Sequence, residues 1–91
     1  MGEAERLAIL KLDLQLHTNG YDKYLSHLLA VAEQRITGEG ITLSGSLNHE
    51  QLRIEYAAYL YRKRANPETT MPRSLRWALN NELFAQKGKK T

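Results

Sequence analysis

The chain contains no cysteine. Disulfides, thiolate zinc sites and cysteine nucleophiles are therefore excluded, and a reducing compartment is the natural expectation. Aromatics are few, with one Trp and one Phe beside five Tyr, and there are only two Pro. No apolar run approaches the length of a membrane span. The start, Met1-Gly2-Glu3-Ala4-Glu5-Arg6, is acidic and has no signal-peptide apolar stretch behind it. Arg6 stands where a myristoylation motif requires Ser or Thr. A soluble, non-secreted protein is expected. No phosphate-cradling glycine loop, His-Glu-x-x-His pair or nucleophile elbow occurs. His17, His27 and His49 fall on separate segments, so they read as surface or interface histidines rather than metal ligands. Glu33 and Glu55 could pair across helices, but nothing separates an acid from a base. No enzyme and no cofactor is expected.

What is there is helical periodicity and an uneven charge. Ninety-one residues make one domain spanning 1–91, with about 60% of the unfolded surface buried and a thin core. Small domains of this kind often gain stability from copies of themselves. Residues 1–50 carry 4 Lys/Arg against 7 Asp/Glu, a charge of −3, while residues 51–91 carry 9 against 3, a charge of +6. Such polarity suits head-to-tail contact between copies or a basic face beside phosphate, although two oppositely charged solvated faces would produce it too.

The pattern predicts an all-α fold, a small bundle of about four helices with a loop or short extended arm between helices two and three. The first helix runs from about Glu3 to Asp13, with Glu3 and Glu5 at the favourable dipole end and a Leu7, Leu10, Leu14 stripe. Leu10, Leu12, Leu14 and Leu16 also alternate with polar residues as a strand would. The absence of β-branched residues there favours helix, with an extended exit after Asp13. The second helix, about Tyr21 to Ile36, carries Leu25, Leu28, Leu29, Ala32 and Ile36 on one face, and Gly38 and Gly40 stop it. Ile41, Leu43 and Leu47 are expected to fold back on the core as the arm.

Asn48, with Gln51 as its capping-box partner, is expected to start the third helix, which runs to about Ala65. Its apolar residues occupy two faces: Leu52, Tyr56, Tyr59 and Leu60 on one, Ile54, Ala57, Ala58 and Tyr61 on the other. A helix of that kind is central or shared with a neighbour. Pro67 ends it by Asn66. Pro72 opens a fourth helix to about Gln86, capped by Thr70 or Met71. Leu75, Ala78, Leu79 and Leu83 face inward, while Trp77 and Phe84 share a neighbouring strip. Residues 1–2 and 87–91 are expected to fray.

Two stretches stand out. Tyr56, Tyr59 and Tyr61 precede Arg62-Lys63-Arg64, a combination found at interface anchors and also on single-stranded nucleic-acid platforms. Helical geometry forbids all six from facing one way, so part of the set packs in the core while the basic run serves the helix C-terminus. Arg73 and Arg76 lie in the first turns of the fourth helix, the unfavourable end for cations, and ask for a partner such as Glu82, a carboxylate of another copy, or phosphate.

The run Tyr56-Ala57-Ala58-Tyr59-Leu60-Tyr61-Arg62-Lys63-Arg64, a Pro-containing turn, and then Met71-Pro72-Arg73-Ser74-Leu75-Arg76-Trp77-Ala78-Leu79-Asn80-Asn81 resembles the head-tail connector family of long-tailed double-stranded DNA phages. Leu10-Lys11-Leu12-Asp13-Leu14, Tyr21-Asp22-Lys23-Tyr24-Leu25 and the Ile-Thr-rich loop are similar to the family's first half. The resemblance implies an α-helical subunit of a closed homo-oligomeric ring beneath the portal protein, in the neck of the virion, assembled in the bacterial cytoplasm. Such a ring extends the channel for double-stranded DNA, without sequence specificity, and docks the next head-completion or tail protein. No catalytic residues carry over. On that reading the residues expected at subunit or partner contacts are Tyr59, Tyr61, Arg62, Arg64, Arg73, Arg76 and Trp77, and the cations expected on the channel side are Lys63, Lys87, Lys89 and Lys90. The competing expectation is a helix-turn-helix DNA-binding regulator built from helices three and four. A third is a scaffold or antitoxin-like partner of one helical protein.

Overall fold

A computed structural model of the chain describes residues 1–88 and shows four α-helices with no strand among them. Lys89, Lys90 and Thr91 lie outside the described residues.

Helix α1 spans Glu3–Asp13, as its periodicity predicts. Its exit is not extended. Gln15 takes a left-handed backbone (φ 58°), the Gln15 N–H bonds Leu12 O at 3.1 Å and the Leu16 N–H bonds Lys11 O at 2.9 Å. This double bond pattern is a Schellman turn with Gln where Gly is usual. It folds Leu14 and Leu16 back against the core instead of along a strand. The Lys11 ammonium then ties the turn down, reaching Asn19 Oδ1 at 2.7 Å and Asp22 at 2.9 Å.

Helix α2 spans Asp22–Gly38. All five residues of its expected stripe, Leu25, Leu28, Leu29, Ala32 and Ile36, are buried. The chain leaves it through Glu39 and Gly40, whose φ of 102° lies in the region that favours glycine.

Residues 41–46 form the irregular arm. Ile41 is fully buried and Leu43 half-buried, but Leu47 points outward at 77% exposed, because it already belongs to the next helix. With no strand beside it, the arm takes its backbone partners from side chains. Gln86 bonds both sides of Thr42, accepting from its N–H at 2.7 Å and donating to its carbonyl at 2.9 Å. The Ser44 N–H donates to His49 Nδ1 at 2.8 Å. These bonds answer the need of backbone polar groups for partners.

Helix α3 spans Leu47–Ala65 and starts on Ser46, not Asn48. The Ser46 hydroxyl accepts from the His49 N–H at 3.3 Å, the ordinary cap geometry on a residue two positions before the Asn48 that a box on Gln51 requires. Leu52, Ile54, Tyr56, Ala57 and Ala58 are all buried, on more than one side of the helix. The reason is architectural: α1, α2 and α4 all pack on α3. Ala57 and Ala58 leave room for the close approach. Both apolar faces of α3 are therefore used inside the subunit.

Helix α4 spans Arg73–Gly88, two residues beyond the expected stop and through Lys87. The Pro72 carbonyl accepts its first helical bond, from the Arg76 N–H at 3.0 Å. Leu75 and Leu79 are buried against α3, with Ala78 and Leu83 half-buried beside them. The Cα envelope measures 47 × 31 × 18 Å, a slab less than two helix diameters thick.

Two charged links, each joining partners far apart in sequence, hold the slab together. Arg6 on α1 donates from Nε (3.0 Å) and Nη2 (2.8 Å) to Glu50 on α3, both side chains being nearly buried. The hydrogen bond to Glu50 outweighs burial and raises the guanidinium above its ordinary value. Arg53 on α3 donates to the Leu29 carbonyl at 3.0 Å and pairs with Glu33 at 3.1 Å, joining α3 to α2.

Candidate interaction surface

The basic and aromatic end of α3 divides between core and edge, and most of it is spoken for within the subunit. Tyr59 is half-buried, meets the Tyr56 ring edge-on at 6.0 Å and has the Lys63 ammonium 5.8 Å from its centroid. Tyr61, also half-buried, meets Tyr21 edge-on at 6.3 Å. The Arg62 guanidinium reaches Asp13 at 3.4 Å, tying α3 to the end of α1. Arg64 lies over the Tyr24 ring at 4.7 Å, in cation–π contact with α2. Lys63 also donates to the Thr69 carbonyl at 3.3 Å, within the turn that follows the helix. The cations here anchor neighbouring helices more than they present a free basic face.

Arg76 finds an intrachain carboxylate, but not the Glu82 expected. It pairs with Glu39, in the turn after α2, and that hydrogen bond raises its guanidinium above the ordinary value. Glu82 is instead held by His49 Nε2 at 2.6 Å and by Gln86 at 3.0 Å. His49 is buried inside the subunit, so the expectation of surface or interface histidines fails at this position. With the Ser44 N–H donating to Nδ1, the ring proton sits on Nε2 and faces the carboxylate.

The unclaimed surface lies on the outer side of α4. Trp77 is 70% exposed and Phe84 is 72% exposed. Seven positions apart, they stand on one strip of the helix, about 10 Å from each other along its axis. Asn80 and Asn81 lie between them, Arg73 sits one turn before Trp77 and Lys87 one turn after Phe84, all exposed. Among the described residues, neither Arg73 nor Lys87 has an ionic partner. Lone exposed hydrophobics are commonplace, but two large aromatics aligned on one helix face and framed by cations have the make-up of a contact patch. Of the seven contact residues expected from sequence, only Arg73 and Trp77 lie on this strip. Phe84 completes it and follows from the same spacing.

Between the end of α1 and the start of α4 lies a small recess of about 100 Å³, lined by Asp13, Glu55, Ala58, Arg62, Pro72, Ser74 and Leu75. Asp13 already holds Arg62 there, and nothing sets an acid against a base. Among the described residues no group of three or more His, Asp or Glu side chains gathers at metal-binding distance, and no helix is long and apolar enough to cross a membrane. Residues 66–72 separate α3 from α4, a longer connection than the three- to four-residue turn of a helix-turn-helix. The chain matches no protein-family profile, no curated protein and no solved structure.

Proposed function

We propose that the chain is a structural assembly subunit, and specifically a head-tail connector that forms a ring of copies beneath a phage portal. The observation that carries the assembly part is the α4 face on which Trp77 and Phe84 both stand exposed. The assignment to the phage neck comes from the resemblance of Tyr56–Arg64 and Met71–Asn81 to the connector family. The opposed charges of residues 1–50 and 51–91 suit a contact that sets the basic half of one copy against the acidic half of the next.

In this reading the chain performs no chemistry and needs no cofactor. Its partners are its own copies, the portal protein and the next neck or tail component. Double-stranded DNA passes through the ring without tight or base-specific contact, which suits the modest net charge of +3. Lys63 and Lys87 remain candidates for the channel side, and so, by sequence alone, do Lys89 and Lys90.

The direct test mixes the purified chain with DNA-filled, tailless heads and separates bound from free protein by sedimentation. Saturable binding to heads with a portal, and none to portal-free shells, is expected. No binding to either, together with a strict monomer by light scattering, rules the connector out. Sequence-selective retardation of a DNA fragment at submicromolar protein would replace it with a DNA-binding regulator.

A further inference from the structure

The aromatic face of α4 has a counterpart on α1. Ala8 and Leu12 are exposed on that helix, and Leu12 is 75% accessible. With Leu16, His17 and the stem of Lys11 they line an open groove of about 340 Å³. The Lys11 ammonium is turned away to Asp22 and Asn19, so its methylenes supply apolar wall. Helices α1 and α4 each pack on α3. Trp77 and Phe84 stay largely exposed, so a subunit does not fill this groove with its own aromatics.

We propose that the Trp77–Phe84 face of α4 in one copy docks into the Ala8–Leu12–Leu16 groove of α1 in the next copy. The proposal rests on the ring reading and names the surfaces by which the ring would close. Charge selects the occupant. Glu5, three positions before Ala8 on the same face of α1, is exposed and has no ionic partner among the described residues. The aromatic strip is framed by the equally unpaired Arg73 and Lys87. Glu5 therefore meets a cation whichever way α4 runs along α1.

The two symmetric alternatives fare worse. Laying α4 on α4 of another copy in antiparallel fashion brings Arg73 of each against Lys87 of the other, like charge on like. Laying α1 on α1 leaves both aromatics in water. The unlike pairing covers two apolar surfaces at once and sets the +6 half of one chain against the −3 half of the next. A contact between different patches repeats from copy to copy and closes into a ring when the rotation permits.

The absence of cysteine makes the test clean, because Leu12→Cys and Phe84→Cys each introduce the chain's sole thiol. The two full-length variants are mixed in equal amounts, free at rising concentration and bound to portal-bearing heads, then joined with a short bis-maleimide. Predominantly 12-to-84 products are expected. Adding Glu5→Lys to the Leu12→Cys chain lowers their yield about two- to threefold. Arg73→Glu with Lys87→Glu on the Phe84→Cys chain restores it. Mainly 84-to-84 or 12-to-12 products, or no joined product in either setting, overturns the contact. Head binding without 12-to-84 products removes this contact and leaves the connector reading intact. Products in solution from a chain that ignores heads keep the contact and remove the connector reading.

Discussion

His49 on α3 holds Glu82 on α4 at 2.6 Å while its other ring nitrogen accepts the Ser44 N–H at 2.8 Å. One side chain thus fastens the arm and the last helix to the centre of the bundle. Replacing it removes the acceptor of the Ser44 N–H and one of the hydrogen bonds of the half-buried Glu82 carboxylate, which keeps Gln86. His49→Ala should cost about 2 kcal/mol in urea unfolding. Amide exchange should accelerate first in α4 and residues 41–46, ahead of α2, because α4 rests chiefly on α3.

Arg6 and Glu50 form the other internal linchpin. Removing one partner strands the other with little water around it, so Arg6→Ala should cost about 3 kcal/mol. Replacing both by Met and Leu should recover most of that loss, which a double-mutant cycle measures. The pH dependence follows from the raised guanidinium. A group whose folded value lies above its unfolded one contributes fully below the unfolded value and loses that contribution as pH rises through the folded one. For arginine both lie beyond the neutral range. The arginine side of the pair should therefore contribute equally at pH 6 and pH 9, read as an unchanged Arg6→Ala penalty between these two pH values.

Backbone conformation sets a third pair of expectations. Gln15 occupies a left-handed conformation that a side chain disfavours by about 1 kcal/mol. Gln15→Gly should raise stability by about 0.5 kcal/mol, the relief being partly offset by the greater freedom of glycine in the unfolded chain. Gly40→Ala should do the opposite and cost about 1 kcal/mol. Its φ is 102°, and the added methyl would sit 3.4 Å from Leu83 Cδ1. Thermal unfolding of the two variants should shift in opposite directions.

Trp77 and Phe84 separate folding from assembly. Both side chains stand largely in solvent, so Trp77→Ser and Phe84→Ser should leave unfolding of the isolated chain within about 0.5 kcal/mol of the parent. Sedimentation at high protein concentration should nevertheless show association lost or much weakened. Leu29→Ala, at a fully buried site, should reverse the pattern and cost about 3 kcal/mol in folding.

The sequence discloses the helices because their apolar residues recur at helical spacing, as in the five buried residues of α2. It also discloses the central place of α3, since Leu52, Ile54, Ala57 and Ala58 cannot share one narrow stripe. It conceals the Schellman turn, because Gln15 lacks the glycine that usually announces a left-handed residue. The cap is misread for a related reason: Ser46 and Asn48 are both good caps, and only the path of the arm chooses between them. Leu47 follows from that choice, since starting the helix at Leu47 turns its side chain to water. Pairings such as Arg6 with Glu50 and Arg76 with Glu39 join distant parts of the chain and leave no local signature. On the surface, the i to i+7 spacing of Trp77 and Phe84 is legible, whereas the involvement of Tyr61, Arg62 and Arg64 with α1 and α2 emerges only from the packing.

The chain's single tryptophan sits on the outer face of α4 and not in the core. Its emission is therefore poorly placed to follow unfolding, since the indole is already wet in the folded chain. It is well placed to follow whatever covers that face. A shift of the spectrum to shorter wavelength on mixing, with circular dichroism unchanged, would report docking optically, without a label.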